Sequence, residues 1–464
     1  MPPFFIKQLA LSLTASAVIM ALTGCGDANT TINEKASITA NDDHDEHEHE
    51  GHDNHNHGGE SEGRLLIINS DDSEADIYDL ADGDLITTLA LDAVPSAVYA
   101  SAGYRLAALI ERNNDKVGFI DGGLWQVAHN DHFDLITTMP SLSNFSLTGS
   151  RPTHFVPHEG QVALFLDGNT DTGSNASIQV FDDHVIEGLE APLTIALTMP
   201  QHGVAEPRGE HVLASLRRDD TVSSSNNFNL PDQVGVYHLH DGEYILEQTL
   251  DVNCPDLHGA AQNENHIVFG CSDGVLLVTD NGNDTYSAQK LLNTEDVADG
   301  LRIGSLWGNP ESGQFIAKAS AHSGSTAQFF MIDPTEMEME LIDWQPMPGA
   351  QSVASQFSFE AEHFVILDDQ GYLTTIEPHL DGDHTHWEYG ERLDITDADV
   401  STLSEGMKFS MTLAQNEHTV YIADPLEQHV RIIDLELLQV VSDLELDYIP
   451  AMITWLGIGE SHDH

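Results

Sequence analysis

Residues 65–95 and 420–450 carry the same pattern twice. At a constant offset of 355 and without gaps, Leu65 falls on Val420, Asp79 on Asp434, Leu80 on Leu435, Asp92 on Asp447 and Pro95 on Pro450. Self-similarity between distant parts of one chain restricts the fold to repeat architectures, in which each unit covers its apolar face with a neighbour. Fainter copies fill the interval. An apolar run ending in an acid or a polar stand-in recurs at Asp79, Asp121, Asp182, His238, Asp280, Asp333, Glu377 and Asp434. A Pro or Gly then follows at Pro95, Pro152, Pro200, Pro255, Gly304, Pro348 and Pro450. Seven intervals across 355 residues average about 51 residues each, which suits a four-stranded propeller blade.

From Arg64 onward, short runs of Val, Ile, Leu and Phe alternate with Asp, Gly and Asn turns, and no long helical pattern appears. The expected fold is therefore all-β, a β-propeller over residues 64–464. Eight units are expected; seven stay open, because the copy near residue 405 lacks its Pro. The strand Ala451 to Ile458 has no hairpin of its own, and the chain from Arg64 starts one strand short. Pairing the two closes the ring and removes the exposed edges of an open sheet. WD and kelch signatures are absent.

The region before the repeats reads differently. Lys7 precedes an apolar run, Leu9 to Leu22, broken only by Ser12, Thr14 and Ser16 and too short to span a bilayer. The Leu22 to Cys25 sequence LTGC resembles a bacterial lipobox, which implies a signal peptide over 1–24 and lipidation of Cys25. Gly26 in place of an aspartate favours the outer membrane, so a periplasmic protein anchored by lipid alone is expected. Residues 25–63 have the polar, acidic composition of a disordered tether. In such an oxidising compartment Cys254 and Cys271, 17 residues apart, read as a disulfide. With 16 basic against 77 acidic residues and a net charge of −61, the surface repels nucleic acid and anionic lipid. The acids are spread along the chain, which reads as adaptation to salt, and a monomer is expected.

The 26 histidines are unevenly placed. His44, His47, His49, His52, His55 and His57 alternate with carboxylates in the tether, a flexible set suited to gathering Zn²⁺ or similar ions weakly. His462 and His464 form a fainter group. Within the repeats, His154 and His202 lie two residues past Pro152 and Pro200, and His258 lies three past Pro255. The equivalent residues after Pro95 and Pro450 are Ala97 and Met452. Three consecutive blades thus offer one imidazole each to the same part of the central channel, a donor set suited to tetrahedral zinc. A fourth ligand is expected from the segment 129–134, HNDHFD, with His132 first, then His129, and Asp134 or Asp131 as ligand or orienting acid.

Four stretches carry a family resemblance: Arg151 to His158 (RPTHFVPH) running into Leu166 to Gly168 (LDG); Pro200 to Val204 (PQHGV); Cys254 to Gly259 (CPDLHG) running into Phe269 to Val275 (FGCSDGV); and the loop at residue 129. Together they are similar to the AztD-type periplasmic zinc metallochaperones. The resemblance implies a zinc site inside a propeller, a His-rich mobile segment that helps load it, and a solute-binding protein of a zinc ABC importer as partner. It lands on His154, His202 and His258. The lipid anchor at Cys25 is a departure, since the family is described as soluble.

A zinc metallochaperone without catalysis is therefore the leading expectation. Two others stand beside it. One is a propeller metallohydrolase with zinc-bound water and Glu206, Asp256 or Asp131 as base. The other is an outer-membrane scaffold, which would leave the histidines idle.

Overall fold

The structure, a computed structural model, describes residues 63–459 except 130–131, 228, 322–325 and 383. The signal and tether assignments, Cys25, the tether histidines, Asp131, His462 and His464 lie outside the described residues.

Eight four-stranded antiparallel sheets succeed one another around a ring. Blade 1 is assembled from both ends of the described chain: the strand Pro450–Gly457 pairs antiparallel with Gly63–Asn69, placing Leu65 opposite Trp455 and Ile67 opposite Ile453. Blades 2 to 8 span residues 97–148, 152–196, 205–249, 260–292, 302–342, 352–394 and 410–445. The count is eight, and the ring closes by the pairing expected from the repeats.

The repeating acid has a structural reason. Each marker lies in the third strand of its blade, and Asp79, Asp121, Asp182, Asp280, Asp333 and Asp434 all end that strand. Their carboxylates accept backbone N–H groups two or three residues on, from Ala81, Gly123, Val185, Gly282, Thr335 and Leu437. A short acid closes the turn out of the third strand on itself. His238 and Glu377 sit where the third strand runs on instead, to His240 and Asp381.

Between the blades, the sheet faces interdigitate. Phe119, Phe155 and Phe181 pack between blades 2 and 3, and Trp307, Phe329 and Phe364 between blades 6 and 7. Each such side chain contributes about 2–3 kcal/mol by leaving water. Between blades 4 and 5 the Cys254–Cys271 disulfide lies fully buried among Val204, Leu213, Leu257 and Phe269. It ties the connection entering blade 5 to that blade's second strand.

Candidate metal centre

Strand order decides which residues reach which end of the channel. Connections between blades, and those from second to third strands, lie at the end where the innermost strands begin. His154 stands near the start of the innermost strand Pro152–His158. His202 and His258 lie just before the innermost strands Ala205–Arg208 and Ala260–Gln262. The three imidazoles meet there, as the repeat positions foretold. Nε2 of His202 is 3.4 Å from Nε2 of His154 and 3.1 Å from Nε2 of His258, and one nitrogen of each lies within 4.8 Å of the others.

The tautomers are set by partners that can only accept. His202 Nδ1 lies 2.9 Å from the Asp167 carboxylate, so it carries the hydrogen and donates. His258 Nδ1 lies 2.8 Å from the Gly304 carbonyl and must donate likewise. In their neutral forms both rings then present Nε2 lone pairs to one another across 3.1 Å. Two acceptors at hydrogen-bonding distance repel unless a proton or a metal ion sits between them. Tetrahedral zinc with bonds of about 2.0–2.1 Å holds neighbouring ligand atoms roughly 3.3 Å apart, so the spacing fits a metal ion. Burial first, with the neighbouring His202 and Arg302 side chains adding to it, holds the His258 imidazole well below its usual pKa.

The support extends over five blades. Arg112, in a turn of blade 2, donates to Asp167 at 2.8 Å and also to Thr153 and the Pro152 carbonyl beside His154. Burial works against the Asp167 carboxylate, but the hydrogen bond and charge of His202, followed by those of Arg112, outweigh it and hold its pKa below the ordinary value. The chain Arg112–Asp167–His202 is the carboxylate–histidine arrangement that orients metal ligands. On the other side, the segment Pro255–Gly259 is zipped to blade 5: His258 N–H donates to Gly270 O, Gly270 N–H to Gly259 O and Ser272 N–H to Pro255 O. Gly259 has φ +46°, and a Cβ there would lie 2.5 Å from the Gly304 carbonyl oxygen. Only glycine lets that carbonyl come close enough to receive His258.

Residues 226–227 and 229–231 of blade 4 are hydrogen-bonded to this end. His202 N–H donates to Asn229 O and Leu257 N–H to Pro231 O. Asp256 accepts from Asn226 Nδ2 at 3.1 Å and from the Asn227 N–H at 2.7 Å. Asp256, one of the candidate bases, is thus engaged by these residues. Glu206 is another of the candidate bases. It is fully buried in the innermost strand of blade 4 and accepts from Gln262 Nε2 at 2.9 Å. Burial raises its pKa to about 8, against the smaller opposing effects of Gln262 and Arg208. Its carboxyl is therefore mostly protonated at neutral pH.

The fourth-ligand segment is placed elsewhere. Residues Leu124–His129 and His132–Thr137 form a two-stranded hairpin, with His129 opposite His132 and Asp134 opposite Val127. It leaves the third strand of blade 2 at Asp121, and that end lies where the innermost strands finish. Arg64, beside the finish of Pro450–Gly457, donates to the carbonyls of Gly122 and Thr138 that flank the hairpin. The backbone of His129, His132 and Asp134 is thus at the opposite end of the ring from the triad. Among the described residues no fourth His, Cys, Asp or Glu joins His154, His202 and His258 within 4.8 Å.

Reading the sequence missed Asp167 and Arg112. Asp167 stood inside the LDG stretch of the resemblance, directly after an apolar run, and that was the available signal. Arg112 had none.

Fold and site together define a class: an eight-bladed β-propeller with a three-imidazole donor set at one end of its channel. The comparisons agree on the fold. The chain is 25% identical over 410 residues to the zinc chaperone AztD of Citrobacter koseri, covering 86% of this chain and 89% of that protein. The crystal structure of Citrobacter koseri AztD superposes with a TM-score of 0.69 at 22% identity, over 87% of this chain and 99% of that one. The apo form of AztD gives 0.68 at 23% identity, over 86% and 99%. The dihydro-heme d1 dehydrogenase NirN gives 0.54 at 11% identity, over 86% and 76%, a likeness of fold. No protein-family model matches the chain. The resemblance to AztD thus extends over the whole ring.

Proposed function

We propose that this chain is a zinc chaperone, which takes up Zn²⁺ at His154, His202 and His258 and passes it to a zinc-uptake partner. The observation that carries the reading is the pair of Nε2 lone pairs facing each other across 3.1 Å, each enforced by an acceptor on the far side of its ring. The likeness to the zinc chaperone AztD supports the choice of metal and role.

The donor set accounts for transfer as well as capture. Three neutral imidazoles leave the charge of the ion uncompensated, and the nearest carboxylate, Asp167, is itself paired with Arg112. A partner that offers an equal number of donors and one more negative charge therefore draws the ion away by stepwise ligand exchange. The solute-binding protein of a zinc ABC importer is the recipient we propose. Cleavage before Cys25 and acylation of its thiol would hold the chain at the periplasmic side of the outer membrane, with the six tether histidines collecting ions within reach of the channel.

Competition of the untagged full chain against a chromophoric zinc chelator tests this. The wild type should hold one tightly bound equivalent that the H154A/H202A/H258A variant lacks. Equal affinity in the two proteins would overturn the site. Transfer of that equivalent to a zinc solute-binding protein faster than it dissociates into free chelator would establish the chaperone step; transfer no faster than dissociation would refute it.

A further inference from the structure

At the opposite end of blade 4 lies a second group of histidines that the channel does not use. His211 opens the second strand, His211–Leu216, and His238 and His240 close the third, Gln233–His240. The register sets His211 directly across from His238, and their rings stack with centroids 4.3 Å apart. Asp284 reaches over from the turn between the third and fourth strands of blade 5, its carboxylate 3.9 Å from His211 Nε2. One donor atom each of His211, His238 and Asp284 lies within 4.8 Å of the others.

We infer that His211, His238 and Asp284 form a second site for a divalent metal ion of the zinc class, at the far end of the ring from the channel triad. Three features support it. The His211 Nε2 atom is buried and has no hydrogen-bond partner, in a residue only 9% exposed; a buried ring nitrogen without a partner is costly unless a ligand completes it. His238 Nδ1 lies 3.3 Å from the Glu247 carboxylate, which directs the lone pair of that imidazole to Nε2. The Glu247 carboxylate is held in turn by His240 Nε2 at 2.7 Å. Glu247 thus stands to His238 as Asp167 stands to His202, an orienting acid behind a ligand. Finally, the Glu210 carboxylate is 4.0 Å from His238 Nε2, within a small side-chain movement of completing a set of two nitrogens and two oxygens.

Zinc titration of the untagged full chain tests the inference, with near-ultraviolet circular dichroism to verify the fold of each variant. Adding His211→Ala and His238→Ala should remove one bound equivalent, both in the wild type and in the H154A/H202A/H258A background. The second background separates this site from the channel, so either can fail alone. Asp284→Asn, on an exposed turn outside the strands, should weaken the same equivalent about tenfold, and Glu247→Gln by roughly 10- to 100-fold. An unchanged number of equivalents on removing His211 and His238, in folded protein, would overturn the site. So would a zinc anomalous-scattering map with no peak between these residues.

Discussion

The two histidine groups of this ring are built from the same parts and placed in opposite surroundings. In the channel, three imidazoles from three blades meet, and burial holds the His258 imidazole well below its usual pKa. On blade 4, two stacked imidazoles lie at the rim beside carboxylates that are largely open to water, Asp284 at 62% and Glu247 at 40% side-chain exposure. Both place an acid behind a histidine. The difference teaches how one fold can hold an ion in two ways. On the proposed reading, the channel set would gain affinity from fixed tautomers and exclusion of water, whereas the rim set would gain it from negative charge and give it up readily to solvent and salt.

The largest expected effect separates the two directly. The H154A/H202A/H258A variant should lose more than about a thousandfold in affinity for the tightest zinc equivalent, since removing three ligands leaves no chelate; equilibrium competition with a chelator measures it. The rim equivalent should be untouched, and a parallel loss there would show that the two regions are not independent.

Glu206 lies in the channel wall and has no counterpart at the rim. Its pKa is about 8 in the fold and near 4.3 in an unfolded chain, so the folded protein holds a proton that the unfolded one releases. Stability must then fall as pH rises between these values, by up to about 1.4 kcal/mol per pH unit for this group. Glu206→Gln should flatten that decline in urea melts from pH 5 to 8 while leaving zinc stoichiometry at both regions intact. An unaltered slope would show that the carboxyl is not buried as described.

The Cys254–Cys271 bond anchors the segment that presents His258. Cys254→Ala with Cys271→Ala should cost about 2–4 kcal/mol in denaturant unfolding and loosen the segment that presents His258, so channel affinity falls more than rim affinity. The smallest effect is expected for Asp167→Asn. It keeps a hydrogen-bonding side chain behind His202 but removes its charge, and should lower channel affinity by roughly 10- to 100-fold. Titrations at two salt concentrations would sharpen the contrast, since the rim equivalent should weaken more with salt than the channel one.

Much of this was legible from residues alone, for reasons the structure makes explicit. In six of the eight blades an acid ends the third strand and caps its own turn, so it recurs even where the apolar pattern drifts. Pro152, Pro200 and Pro255, at or just before the innermost strands of blades 3, 4 and 5, made His154, His202 and His258 comparable in position. The hairpin at 124–137 was misjudged, although the marker Asp121 held the answer. A segment that follows a third strand emerges at the far end of the ring, and alternation of strand direction settles this without any side chain. Asp167 and Arg112 were harder, because they meet across blades 2 and 3 at residues 55 apart in sequence, and no periodicity registers such a pair. The rim cluster was hidden for the same reason: His211 and His238 are neighbours only through the pairing of two strands.

The central claim is that one zinc ion is held by three imidazoles from consecutive blades. Anomalous diffraction at the zinc edge, on crystals of the zinc-loaded full chain, tests it most directly. The account predicts a peak bonded at about 2.0–2.1 Å to the Nε2 atoms of His154, His202 and His258, absent from the triple alanine variant. A tightly bound ion located away from these three nitrogens would contradict it.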